Sequence, residues 1–471
     1  MANGVAQVCA LLRYVILARI LGPEQLGLAA TLILTASFFD MISDTGGDRF
    51  IIQDARGDDP PAQKLVHLVL VCRGAATALA LIVFAWPIAL FYKTPALALG
   101  MATMSLSPFI MGFLHLDLRR VQRDNDFRPE ALGMMVGESL GLATTVTAAL
   151  VLRNYSAVIF GLVARSSALV LVSHLTAKRP YRIGFSREHA PSLTRFAAPL
   201  MFNGLVLFLG GQGDRVLVGR SIGVKGLGHY SAIMLLIYYP SQMIQRYVHA
   251  VFMPPIAAHQ QNRALRDQVS DSLGGQTFLL AILMMAGFAV VAPVMVPLLY
   301  GRAFAETAPV IALIGFLQAT RFLTVWPTTV ALAMGRSGIV LASNLVRLAA
   351  WPCALIGAAT LGGLSGIVAG FLFGEVISFC TALAMLNLRE GRHLFHSAGR
   401  LANFLLAGAC TLGWATAWAA GAPTPKLAIT LSVATVVSAA WVLRSEAQAI
   451  NSLRDIVRPA VASRLGRRAS R

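Results

Sequence analysis

Fourteen apolar runs, each about the length a helix needs to cross a hydrocarbon layer, follow one another along this 471-residue chain. They cover 2–21, 26–46, 65–92, 95–117, 130–152, 155–176, 196–222, 226–254, 274–300, 306–334, 338–360, 363–388, 401–420 and 426–443. Their recurrence over the whole length rules out a single cleaved signal peptide, and no interval between them could house a soluble domain. With 56% hydrophobic and only 13% charged residues, the composition excludes an ordinary soluble domain and a disordered chain. The expectation is an all-α polytopic membrane protein of about fourteen helices. Its function must lie between those helices, because the connections are too short to fold into a catalytic domain.

A net charge of +18 would suggest nucleic acid in a soluble protein, but here topology accounts for most of it. If the N-terminus is cytoplasmic, the inside segments hold 25 Lys and Arg and the outside connections and helix ends hold 7. That asymmetry predicts both termini inside and leaves no need for a nucleic-acid partner. The tail from Arg444 carries seven arginines against Glu446 and Asp455, which suits a segment lying on anionic headgroups.

Cys9, Cys72, Cys353, Cys380 and Cys410 all fall inside apolar runs and form no C-x-x-C pair, so they are expected to pack rather than to bridge or bind zinc. His393-x-x-His396 has helical ligand spacing but no third ligand nearby. No metal, no cofactor and no catalytic residue is expected.

The chain repeats itself. Arg19-Ile20-Leu21-Gly22-Pro23-Glu24-Gln25-Leu26-Gly27 returns as Arg220-Ser221-Ile222-Gly223-Val224-Lys225-Gly226-Leu227-Gly228, an R-x-(L/I)-G-x-x-x-L-G pattern at an offset of 201 positions. Such a spacing is too long for a solenoid and fits two related halves, a common build among membrane transporters. The expected division is a lobe over 1–185, a second over 186–388, extra helices over 389–443 and a basic tail over 444–471.

Seven arginines fall within the runs: Arg13, Arg73, Arg165, Arg215, Arg246, Arg321 and Arg347. Each costs about 3 kcal/mol at the centre of a spanning helix on insertion scales, so each needs a partner, a cavity or water. The acids in the same runs are Asp40, Asp44, Glu138, Asp214 and Glu375, with Asp117 at an end. Either every Arg pairs with an acid on a neighbouring helix, or the excess cations serve an anionic substrate, most simply one carrying phosphate. The offset maps Arg13 onto Asp214 and Asp44 onto Gln245, next to Arg246. By helical rise, Arg13 and Asp214 both lie about 12 Å from the outer helix ends, and Asp44 about 27 Å from its own. Two pairs are therefore expected, Arg13–Asp214 as a central latch and Asp44–Arg246 as an inner gate. Gly210-Gly211-Gln212-Gly213 just before Asp214-Arg215 predicts a weakened or unwound stretch. Prolines inside other runs, among them Pro87, Pro108, Pro327 and Pro352, predict kinks.

These residues resemble a family, the polysaccharide-transporter oligosaccharide flippases of bacterial inner membranes, within the multidrug/oligosaccharidyl-lipid/polysaccharide exporter superfamily. The likeness is carried by residues 17–27, by Ser43-Asp44-Thr45-Gly46, Gln122-Arg123-Asp124-Asn125-Asp126-Phe127-Arg128-Pro129 and Arg153-Asn154-Tyr155, and by Gly213-Asp214-Arg215 followed by Leu227-Gly228-His229-Tyr230. Pro297 to Gly301 continues it more weakly. The resemblance implies two six-helix lobes and two further helices. It also implies transport of an undecaprenyl-pyrophosphate-linked oligosaccharide across the inner membrane by alternating access, alongside a polymerase and glycosyltransferases. By likeness to the peptidoglycan-precursor flippases it points to Arg13, Arg19, Arg49, Arg215 and Arg246 as substrate-binding. Asp44, Asp214, Glu138 and Glu375 are the candidates for gating or coupling. The chain departs from the family pattern twice. It starts almost at helix 1, from which a start assigned too far downstream is expected, and it reads Asp44-Thr45-Gly46-Gly47-Asp48 where the family more often has Asp-Leu-Gly-Leu. The competing class is an integral-membrane enzyme of lipid-linked glycan assembly, which would need a sizeable outside loop. A multidrug exporter would call for an acidic cavity.

Overall fold

A computed structural model describes residues 2–390 and 395–420, with isolated positions at 433, 436, 437, 440, 441 and 444. The predicted run 426–443, most of the basic tail and His393 of the His pair lie outside the described residues. Among the described residues every regular element is a helix, and ten helices are long and apolar enough to cross a membrane. All five cysteines are free.

The first two predicted runs are two helices that abut at a sharp break without an intervening loop, together spanning α1 (Ala2–Ile42). The break is confined to Gly22, whose φ of 72° is a conformation that L side chains rarely adopt, and Pro23 then restarts the helix as a pre-set first-turn residue. Gly46, also left-handed, turns the chain into the short α2 (Gly47–Gln53). The third and fourth runs are each broken near a proline, into α3 (Pro60–Val83) and α4 (Ala85–Phe91), then α5 (Leu97–Met104) and α6 (Leu106–Met111). Pro87 and Pro108 lie in the first turns of α4 and α6, where their missing N–H leaves no bond unmade. A one-turn α7 (Asp117–Arg120) precedes α8 (Arg128–Leu152) and α9 (Ser156–Leu175), which pack closely through glycines. A Cβ on Gly161 would overlap the Thr145 side chain, and one on Gly137 would crowd Leu169.

Three long helices follow: α10 (Ala190–Ser221), α11 (Val224–Ala258) and α12 (Arg263–Tyr300). The unwinding expected at Gly210–Gly213 is not present; α10 stays helical throughout, and buried Asp214 is tied to α11 by a 2.5 Å hydrogen bond from Tyr230 Oη. Pro327 and Pro352 fall where two predicted runs divide, into α13 (Ala308–Leu323) with α14 (Val325–Ala333) and α15 (Ser337–Arg347) with α16 (Ala350–Thr360). The last described helices are α17 (Gly363–Glu390) and α18 (Phe395–Ala419).

The chain divides into two compact units. Unit 1 comprises Met1–Ala232 with Val296–Phe304, and unit 2 comprises Ile233–Met295 with the residues from Ala305 on. The core of unit 2 is aromatic: Phe278 sits among Trp326, Phe379 and Phe404 in edge-to-face contact. Arg266 and Arg400, which fall between the predicted runs, are buried, and Arg400 lies over the Trp326 ring at 5.7 Å.

Candidate functional site

In unit 1 the repeated motif folds back on its own second copy. Gly22 and Gly223 occupy equivalent places and both have positive φ, 72° and 94°. A Cβ on Gly27 would overlap the carbonyl oxygen of Val224, and a Cβ on Gly228 would overlap that of Pro23. Pro23 and Val224 are themselves one offset of 201 apart, so the contact between the two copies of the motif is reciprocal. The signature glycines are therefore contact residues that let two backbones touch.

At the opposite, basic end of unit 1 the polar connections are locked together. Arg123 reaches the C-terminal end of α2, with Nη1 donating to Ile51 O at 2.9 Å, Ile52 O at 3.3 Å and Asp54 O at 2.6 Å. Ile51 O and Ile52 O belong to the last turn of the helix, where carbonyls lack intrahelical partners, and the guanidinium satisfies them while complementing the helix dipole; Asp54 O also accepts the Gly57 N–H at 3.0 Å. In the same motif Gln122 donates to Glu130 at 2.7 Å, and Asp126 accepts the Arg128 N–H at 3.1 Å. The segment after α9 is held down by His67 and His115, whose ring nitrogens lie 3.0 Å from Arg182 O and 3.0 Å from Arg179 O. Asp117 links both regions: burial opposes its charge, but bonds from Arg120 Nε at 2.5 Å and Lys178 N–H at 2.7 Å outweigh that and hold its carboxyl below the ordinary range. Arg123→Lys, which keeps the charge but loses the multi-carbonyl fork, is expected to cost about 1–2 kcal/mol, seen as a lower Tm of the purified protein with little change in fold. An unchanged Tm would mean that the cap is idle.

Between these ends lies a cavity of about 450 Å3, lined by α1, α3, α6 and α9 together with the stretch around α2 and α7. Its charged lining is Asp40, Asp44, Asp48, Arg73, Arg119 and Arg165. Arg73 bonds Asp40 at 2.5 Å and stands 3.9 Å from Asp44; Arg119 bonds Glu130 and lies 3.7 Å from Asp48. Along the chain Arg73 and Asp40 are charges within apolar runs, and Arg119 and Asp48 lie in the connections between runs. Their convergence on one cavity has no signal in spacing.

The expected site residues are sorted by their partners. Glu138 bridges two arginines, accepting from Arg165 Nε at 2.5 Å and Arg13 Nη1 at 3.5 Å. Arg13 thus pairs with Glu138 rather than with Asp214, whose carboxylate accepts from Tyr230 and from the Arg215 N–H at 2.9 Å. Glu375 does the same in unit 2, with Arg321 Nε at 3.0 Å and Arg347 Nε at 2.9 Å, the second as a Coulombic contact without hydrogen-bond alignment. Arg19 donates to Leu298 O at 2.6 Å and so caps the end of α12, and exposed Arg49 stands 3.5 Å from Asp44. Five of the seven arginines within runs therefore bind an acid. Arg215, half-buried in unit 1, and Arg246, exposed on unit 2, make no ion pair among the described residues. One turn before Arg215, the buried Gln212 side-chain oxygen lacks a hydrogen-bond partner.

The succinoglycan biosynthesis transport protein ExoT of Rhizobium meliloti (strain 1021) is 32% identical over 308 residues, 64% of this chain and 60% of that protein. The amylovoran biosynthesis protein AmsL of Erwinia amylovora is 25% identical over 294 residues, 60% of this chain and 74% of that protein. The chain thus spans less than two thirds of the length of the first of these relatives. Among solved structures, an inward-facing multidrug resistance MATE family transporter of the MOP superfamily superposes with a TM-score of 0.67 at 15% identity, covering 82% of this chain and 94% of that one. Lipid II flippase MurJ in an inward closed conformation gives a TM-score of 0.66 at 11% identity, covering 96% and 99%. These likenesses establish the fold. Residues 16–309, which hold both copies of the repeated motif, match the family described as Polysaccharide biosynthesis protein, and the chain belongs to that family.

Proposed function

We propose that this multi-pass membrane protein is a flippase that moves a polyprenyl-pyrophosphate-linked oligosaccharide from the inner to the outer leaflet of a bacterial inner membrane. The observation that carries the reading is Arg215, a half-buried cation six residues before the end of the long helix α10, with no ion pair among the described residues. A guanidinium left unneutralised in such a place is a standing site for an anion, and pyrophosphate offers oxygens spaced for bidentate bonding. The orphan Gln212 oxygen in the preceding turn can accept from a substrate hydroxyl. Arg246 is the second candidate cation, in unit 2. Arg13 contributes only if substrate draws it from Glu138; its 3.5 Å bond is the longer of the two that Glu138 makes. Family membership and the transport relatives support movement of the substrate rather than chemistry on it.

Alternating access supplies the path. The glycine contact at the Gly22 end would seal the outer side while substrate loads from the basic end, assigned to the cytoplasm by the charge asymmetry. Release would require that contact to part. The polymer polymerase and glycosyltransferases act before and after this step.

Arg215→Gln is expected to abolish export of the surface polysaccharide while the protein still accumulates in the membrane, with lipid-linked oligosaccharide building up inside. Export at wild-type level by this variant, at equal protein abundance, would overturn the role of Arg215.

A further inference from the structure

We propose that a cleft of about 590 Å3 between α2 and the first turns of α10 is a cytoplasmic docking subsite for the headgroup of the lipid-linked glycan, binding a sugar together with the phosphate it is attached to. The proposal rests on the flippase reading above and deepens it by giving the headgroup a place to bind before it reaches Arg215. The cleft is lined by Phe50, Gln53, Asp54, Ser192, Arg195 and Phe196, with Pro191 at the rim.

Its construction explains the Ser43-Asp44-Thr45-Gly46 signature. Asp44 Oδ1 accepts the Gly46 N–H at 2.9 Å, and left-handed Gly46 turns the chain so that α2 runs beside α10. A Cβ at Gly46 would overlap the Leu200 side chain and press on the Phe196 ring. Phe50 and Phe196 then meet with ring centroids 5.9 Å apart, buried Phe50 backing the half-buried Phe196 ring at the cleft. Arg123 fixes the far end of α2 through the carbonyls described above. Two family signatures thus hold one small helix in position, which is more support than a solvated surface turn needs.

The lining chemistry selects the ligand. Arg195 is exposed and makes no ion pair among the described residues, so it can take a phosphate. Asp54 keeps acceptor capacity beyond its bonds to the Arg56 N–H at 2.8 Å and Ser192 Oγ at 3.1 Å, and Gln53 offers an exposed amide. A carboxylate a few residues from the cation disfavours a bare anion, whereas sugar hydroxyls donate to it. Apolar C–H faces of a pyranose suit the half-buried Phe196 ring, which buried Phe50 backs. The volume lies within the range of small-ligand pockets.

The test uses the full chain in detergent micelles and measures binding of undecaprenyl pyrophosphate carrying one hexose, of undecaprenyl pyrophosphate without sugar, and of phosphatidylglycerol. The expected result is that Arg195→Gln weakens both polyprenyl ligands about ten-fold. Gln53→Ala, at an exposed position that cannot unfold the protein, should weaken only the sugar-bearing one. Equal binding of the glycolipid by wild type and both variants overturns the subsite while leaving the flippase reading intact. Phosphatidylglycerol binding at Arg195 as tight as that of the glycolipid also overturns it, by showing a bilayer-lipid contact. Failure of wild type to bind any polyprenyl pyrophosphate overturns both.

Discussion

Valine in place of Gly27 or of Gly228 is expected to lower the Tm of the protein and to stop polysaccharide export, each as a single change. In both cases the added Cβ overlaps a backbone carbonyl, Val224 O in one and Pro23 O in the other. A clash with a flexible side chain is relieved by rotation, but a clash with main chain is relieved only by moving a helix. Overpacking of this kind costs typically about 1–3 kcal/mol, and a β-branched residue lies at the upper end. The control is Gly287→Ala in α12, where a Cβ meets nothing within 4 Å, and helix propensity alone predicts a gain of about 0.5–1 kcal/mol. If the contact is also the outer seal, cysteines at Glu24 and Lys225, each next to a contacting residue and one offset apart, should form a disulfide that blocks export until it is reduced. Full export and an unchanged Tm for Gly27→Val and Gly228→Val would remove the contact from both structure and mechanism.

The second large effect concerns the shared carboxylates. Glu375→Gln should destabilise far more than Arg347→Gln, although each removes the same ion pair. Glu375 is 1% exposed by side chain and carries Arg321 and Arg347, themselves 14% and 16% exposed. Removing the acid strands two cations in a poorly hydrated site, a penalty of about 3–5 kcal/mol when a buried pair is broken this way. Removing one arginine leaves a neutral Arg321–Glu375 pair, and the cost falls to about 1–2 kcal/mol. The same asymmetry is expected in unit 1, where Glu138→Gln would strand Arg13 and Arg165. Thermal unfolding of the purified variants reads it directly, and equal Tm values for Glu375→Gln and Arg347→Gln would show that the site is hydrated and the charges are screened. An export defect in Glu138→Gln out of proportion to its Tm would place Arg13 in the transport path.

How far the chain could be read without coordinates depends on the range over which each signal acts. The run lengths gave the all-helical class because a helix must satisfy its own backbone in lipid, a demand felt residue by residue. Gly22–Pro23 and the prolines of α4, α6, α14 and α16 announced breaks for the same local reason. The glycine run before Asp214 was misleading, since a bond from Tyr230 on the next helix and packing around buried Gly210 and Gly213 hold α10 intact where propensity alone would loosen it. The 201-residue repeat was visible, but not that its two copies touch each other.

The sequence by itself determined which residues are charged within apolar runs, that bases outnumber acids there, and that one motif recurs 201 positions on, because these follow from residue type and order. Which arginine meets which acid was decided only by the tertiary structure. Pairing depends on the facing of helices far apart in the chain: Arg13 with Glu138 across 125 residues, Arg321 with Glu375 across 54. That assignment separates the arginines held by carboxylates from Arg215, and it reduces five in-span cations to structural pairs. It also brings Phe50 to Phe196, 146 positions apart in the chain, because a left-handed glycine and a distant arginine together fix where a seven-residue helix lies.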